Sequence, residues 1–301
     1  MVFMADQSAA TIVATLLKRI PAILLMAFCV VGCASTAPYI GQGPTAQITR
    51  GAPVPPVDFI GNVLSLPGKL ILWDWQFNSH SISALTEQQL VAYRNTRHLP
   101  AFERTAWRLN EYTPLKDLGA LVKNRDVAWP YRLLFGLPTT LITDVFLPGR
   151  IFPWGDYYNA YTNTIHLYSD DVTIALHESG HAYDFAAFPH KGTYATLRLV
   201  PFMDLYQEAR ATDEAINYLV RIEDRETEFR AYRVLWPAYG TYIGAYVPVA
   251  FGSAAGALFG HIAGRTKVAA RKNYYKRMDT VLHPDQSHVE EHKARSSPGV
   301  H

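Results

Sequence analysis

His177, Glu178 and His181 constrain the fold more than any other part of this 301-residue chain. Two histidines four positions apart come close enough to share one ion in a helix, where residues i and i+4 lie one turn apart, whereas a strand would hold them about 13 Å apart. Their imidazoles then reach one ion, and Glu178, offset by about 100°, faces a water held there. With 11 histidines in the chain, chance supplies this pattern on the order of one or two times in a hundred. Gly180 lowers helix propensity by about 0.8–1 kcal/mol relative to alanine. So small a residue beside the histidines predicts close packing, here against a neighbouring strand.

The flanking residues frame that helix. Ile165 and Leu167 alternate with Thr164, His166 and Tyr168, the period of a half-buried strand, and Asn163 supplies the turn before it. Ser169, Asp170 and Asp171 then offer an N-cap and negative charge to a helix start. A tetrahedral metal site with an open position needs a third protein ligand. His190 lies nine residues past His181, in a Pro-Gly turn. Glu208 lies on a helix over residues 205–215, where Ala211, Thr212 and Ala215 share its face and leave room for a second helix. Spacing alone leaves Glu214 open as a further alternative. Asp184 and Ala187 stand where a metzincin carries Gly and His, which excludes that arrangement.

His177-Glu178-x-x-His181 followed by Glu208 resembles the gluzincin group of zinc metallopeptidases, in a minimal thermolysin-like form, over residues 154–221. The resemblance implies an α+β, mostly helical fold: a zincin-like core with a small sheet edge strand at 165–168, an active-site helix and a glutamate helix. It implies one Zn2+ per chain on His177, His181 and Glu208, with Glu178 as the catalytic general base and a peptide or protein as substrate. His166, Tyr183, Tyr239 and Tyr242 are available as oxyanion donors. Where the family often carries an aspartate supporting the first histidine, this chain has Thr212. Asp213 or Asp184 is expected to take that second place behind the metal ligands.

At the amino terminus, Lys18 and Arg19 precede the apolar run 20–31, too short to span a bilayer. Val30-Val31-Gly32-Cys33 resembles the lipobox of bacterial lipoproteins. The expectation is a lipoprotein signal peptide over 1–32, lipidation at Cys33, a flexible tether over 33–56 and export to the cell envelope, facing the periplasm from the outer membrane. Cys29 lies within that signal, so Cys33 would be the one remaining cysteine and no disulfide is expected. Lys and Arg total 28 against 26 Asp and Glu, without the basic excess of a nucleic-acid binder.

Residues 57–75 and 86–110 show helical spacing, the second opening at Thr86, while Trp107, Tyr112, Trp129, Tyr131 and Phe135 are expected to serve packing. The hydrolase domain is placed at 57–235. Residues 236–265 form a glycine-rich apolar helical segment, and 266–301 a basic, then polar tail, partly disordered. No Asp, Glu, Lys or Arg occurs from 238 to 264, and Gly252, Gly256, Gly260 and Gly264 line one helical face. That face suits a hairpin, a second copy or a membrane environment. The sequence thus supports a lipid-anchored zinc hydrolase, or alternatively a structural or binding envelope lipoprotein with an inactive or non-peptidase zincin domain.

Overall fold

Side-chain alternation in a five-stranded sheet organises the first part of the molecule. The structure, a computed structural model, describes residues 36–38, 47–249 and 251–282; the signal segment, Cys33 and the histidines beyond 282 lie outside them. Strands β1 (Thr36–Pro38), β2 (Ile48–Gly51), β3 (Ala106–Leu109), β4 (Tyr157–Asn159) and β5 (Thr164–Leu167) lie in the order β1-β2-β3-β5-β4. The β2–β3 and β3–β5 pairs are parallel, the outer pairs antiparallel. Among the described residues the helices are α1 (Pro55–Leu64), α2 (Leu66–Leu72), α3 (Ala84–Asn95), α4 (Pro100–Glu103), α5 (Pro114–Lys123), a continuous helical segment α6 over 129–146 with two π-helical stretches, α7 (Val172–Ala187), α8 (Lys191–Leu197), α9 (Met203–Arg221), α10 (Arg225–Ala245) and α11 (Gly252–Leu282). The chain is mostly helical with one small sheet, as expected.

Successive strand residues point to opposite faces. Trp107 is paired with Ile48 and Ile165, and all three are fully buried. Trp107 Nε1 donates to Ser179 Oγ of α7 at 3.2 Å, which places α7 on this apolar face. Thr49, Arg108, His166 and Tyr157 stand in register on the opposite face, where Arg108 Nε donates to Asp117 of α5 at 2.8 Å.

Several expectations change. The sheet includes β1 and β2, so residues 36–38 and 48–51 are not free tether; Ile48 anchors β2 beside Trp107. β5 is not the edge strand: β3 and β4 flank it, and all four of its residues are buried rather than half of them. Ser83, not Thr86, caps α3, its side chain accepting from Thr86 N. The helical reading of 86–110 stops at Asn95, Pro100 starts a new turn, and Trp107 and Leu109 belong to a strand whose alternation buries them. Trp107 and Tyr112 are buried as expected, whereas Trp129 and Phe135 face outward.

The chain divides into two compact units at Tyr218/Leu219. The second is built on α10 and α11. Cβ atoms added to Gly240, Gly244, Gly256 and Gly264 would lie 2.2, 2.1, 2.0 and 2.1 Å from carbonyl oxygens of Gly256, Gly252, Gly240 and Tyr232. Partner numbers fall on α10 as they rise on α11, so the two helices run antiparallel. The helix that meets the glycine face is therefore α10 of the same chain. Boundaries at 235/236 and 265/266 fall inside α10 and α11, because the glycines are a packing stripe shared by both helices. The basic stretch stays helical to Leu282, with Arg271 Nε donating to Glu228 at 2.6 Å. Among the described residues, no helix is long and apolar enough to cross a membrane.

Candidate metal centre

The expected N-cap forms at Asp171, whose carboxylate accepts from Thr173 N at 2.6 Å and Ile174 N at 3.3 Å. Two orphan amide donors at the start of α7 are thereby satisfied. Ahead of it, Asn163 turns the chain into β5 at φ 53°. Gly180 does permit a close approach, but to a helix rather than a strand. A methyl group there would lie 2.7 Å from the carbonyl oxygen of Ala211 on α9. That contact lays α9 along the histidine face of α7.

The consequence is convergence. His177 Nε2 lies 3.0 Å from Glu208 Oε2, and His181 Nε2 lies 3.3 Å from Glu208 Oε1. One ligand atom from each residue falls within 4.8 Å of the others, and the three could hold a metal ion. Bonds of about 2.0–2.1 Å in a tetrahedron place neighbouring ligand atoms about 3.3–3.4 Å apart. Each histidine approaches a different Glu208 oxygen at a comparable separation, so small side-chain adjustments would bring one oxygen and both imidazoles to that spacing. All three side chains and Glu178 are buried or nearly so.

Burial pushes the Glu178 carboxyl up to about 7, an effect the charge of His177 only partly offsets. Burial also lowers His181 to about 4, which favours the neutral imidazole that ligation needs. For Glu208 burial alone would raise the carboxyl, but the charges of His181 and Arg198 and two histidine hydrogen bonds hold it well below the usual range. Burial disfavours a charged His177, yet its bond to Glu208 outweighs this and raises it.

Thr212 Oγ1 lies 3.3 Å from His177 Nδ1, so the threonine at the departing position reaches the histidine itself. Asp213 is exposed, turned away by about 100° from its neighbour, and Asp184 accepts from Arg210 at 3.0 and 3.1 Å. The expectation that either aspartate supports His177 is corrected accordingly. Glu214 is taken by Arg97 and by Tyr93 OH at 3.1 Å, and His190 is exposed, which leaves Glu208 as the third donor. His166 faces the opposite side of the sheet, stacked on Tyr157 at 4.6 Å. Tyr183 sits under Arg97 at 4.9 Å, and Tyr239 and Tyr242 belong to the second unit.

Arg198, just past α8, is the residue that spacing rules did not reveal. Its guanidinium donates to Glu208 Oε1 at 2.6 Å. Nothing periodic connects it to the histidines; only the fold brings it there. Comparison with known proteins finds no matching family model, no similar curated protein and no similar solved structure.

Proposed function

We propose that the chain is a zinc-dependent hydrolase, a peptidase anchored to the cell envelope by lipid on Cys33. The observation that carries this reading is the convergence of His177, His181 and Glu208 beside a buried Glu178. Two imidazoles and a carboxylate form a donor set that suits zinc. When bound, zinc supplies Lewis-acid polarisation of a carbonyl and lowers the pKa of its water toward about 7. Glu178, raised to about 7 by burial, would serve as the general base at this site, taking a proton from the attacking water and returning it to the leaving amine. Thr212 orients His177, and Arg198 holds Glu208 through Oε1, the oxygen that also faces His181.

Replacing Glu178 with Gln tests this directly: the variant should retain stoichiometric zinc and lose hydrolysis of a peptide library. Hydrolysis persisting in Glu178→Gln would remove its role as base. The second reading, a binding or structural lipoprotein with an inactive domain, draws on Arg198, whose guanidinium already neutralises Glu208. A zinc-loaded wild-type protein without hydrolytic activity would favour it.

A further inference from the structure

Residues 55–75 reverse the usual surface pattern. Eleven of these positions are exposed, and every one is apolar or proline. Phe59, Leu70 and Trp75 are 69%, 60% and 66% exposed. The three charged residues turn inward. Asp58 is bound by the fully buried Arg150 at 2.8 Å, Lys69 is buried with Nζ donating to the Trp75 carbonyl at 3.2 Å, and Asp74 is buried. A water-facing helix would place those charges outward.

The same reversal recurs in α6. All seven exposed residues over 129–146 are apolar or proline, with Trp129 67% and Leu134 65% exposed. Its two charged residues do not face outward freely: Asp144 is buried, and Arg132 donates to the Leu121 carbonyl at 3.0 Å. The two segments adjoin. Arg150, just beyond α6, joins Asp58 of α1, and Tyr112 packs on Val57 while donating to the Val145 carbonyl at 2.7 Å.

We infer that α1, α2 and α6 form a face that inserts into one leaflet of a lipid bilayer, a contact separate from any lipid on Cys33. Two features favour lipid over a protein partner. Protein interfaces carry about one hydrogen bond per 100–200 Å², and these exposed side chains offer almost no polar groups, whereas a bilayer needs none. Tryptophans at 73, 75 and 129 supply the amphipathic rings that settle at a membrane interface. The contact is with a surface and does not span: ten residues of α1 extend about 15 Å, half the roughly 30 Å hydrocarbon layer. Chain connectivity agrees with this. Thr36 of β1 lies three residues after Cys33, a reach of at most about 10 Å, and β1 pairs with β2, which leads into α1. A lipid on Cys33 would therefore hold this end of the sheet at the membrane surface. With no exposed charge on the face, insertion is independent of anionic lipid and of salt.

The test uses the full chain with Cys29→Ser and Cys33→Ser, carrying one nitroxide at Ile60→Cys, Leu70→Cys, Leu134→Cys or, as reference, the exposed Asn217→Cys. On phosphatidylcholine vesicles, labels at 60, 70 and 134 should lose collisions with a soluble nickel chelate several-fold and gain collisions with oxygen, while the label at 217 stays aqueous. Labels that remain chelate-accessible on vesicles would overturn the inference. So would shielding in buffer that grows with protein concentration, which would assign the face to a second copy. Immersion that requires anionic lipid and vanishes in high salt would equally contradict it.

Discussion

The two faces of one sheet each bury histidine beside carboxylates, yet with opposite outcomes. On the α7 face, His177, His181 and Glu208 bring their ligand atoms within 4.8 Å of one another. On the α5 face, His166 lies 3.9 Å from Asp117, while Arg108 binds that aspartate and Thr143, Tyr157 and Asn159 donate to Asp144. Both ring nitrogens of His166 are buried without a hydrogen-bond partner. The first cluster converges on a point, and the second is dispersed among internal donors. Composition does not distinguish them; what does is whether two helices approach closely enough for their side chains to meet.

Breaking the dispersed cluster should have the largest effect on stability. Arg108→Ala leaves Asp117 buried without its guanidinium and should destabilise by about 3–5 kcal/mol, read as a lowered urea midpoint with metal content unchanged. Gly180→Ala acts on the other face. The added methyl group meets the Ala211 carbonyl, so α7 and α9 must separate at a cost of about 1–3 kcal/mol, and zinc affinity should fall together with stability.

A smaller effect sharpens the comparison through pH. Burial raises Asp117 to about 7, an effect the charge of Arg108 only partly offsets, and raises Asp144 to about 6 against the hydrogen bonds of Thr143, Tyr157 and Asn159. Both folded-state values lie above the unfolded ones, so the folded state binds more protons between pH 4 and 7. The stability these groups contribute is full below pH 4 and is lost as pH rises through 6 and 7. Asp117→Asn should flatten that decline in denaturant midpoints between pH 5 and 8; a slope identical to wild type would show that Asp117 is already ionised in the folded chain.

The convergent site was the more legible of the two. Helical periodicity maps His177, Glu178 and His181 directly onto one surface, and small neighbours singled out Glu208. Thr212 was visible as a departure from a pattern, although its contact with His177 was not. Features set by long-range pairing were hidden. The central place of β5 depends on β3, some sixty residues earlier, and β2 lies within a stretch whose prolines and glycines read as tether. Trp129 and Phe135 have core composition and face outward, because hydrophobicity records what a side chain avoids, and the fold decides whether protein covers it.

Metal content by mass spectrometry, on the wild-type chain, His177→Ala and His166→Ala, tests the central claim most directly. The account predicts one zinc per chain in the wild type and in His166→Ala, and none in His177→Ala. Zinc retained in His177→Ala, or lost from His166→Ala alone, would contradict it by placing the metal on the other face of the sheet.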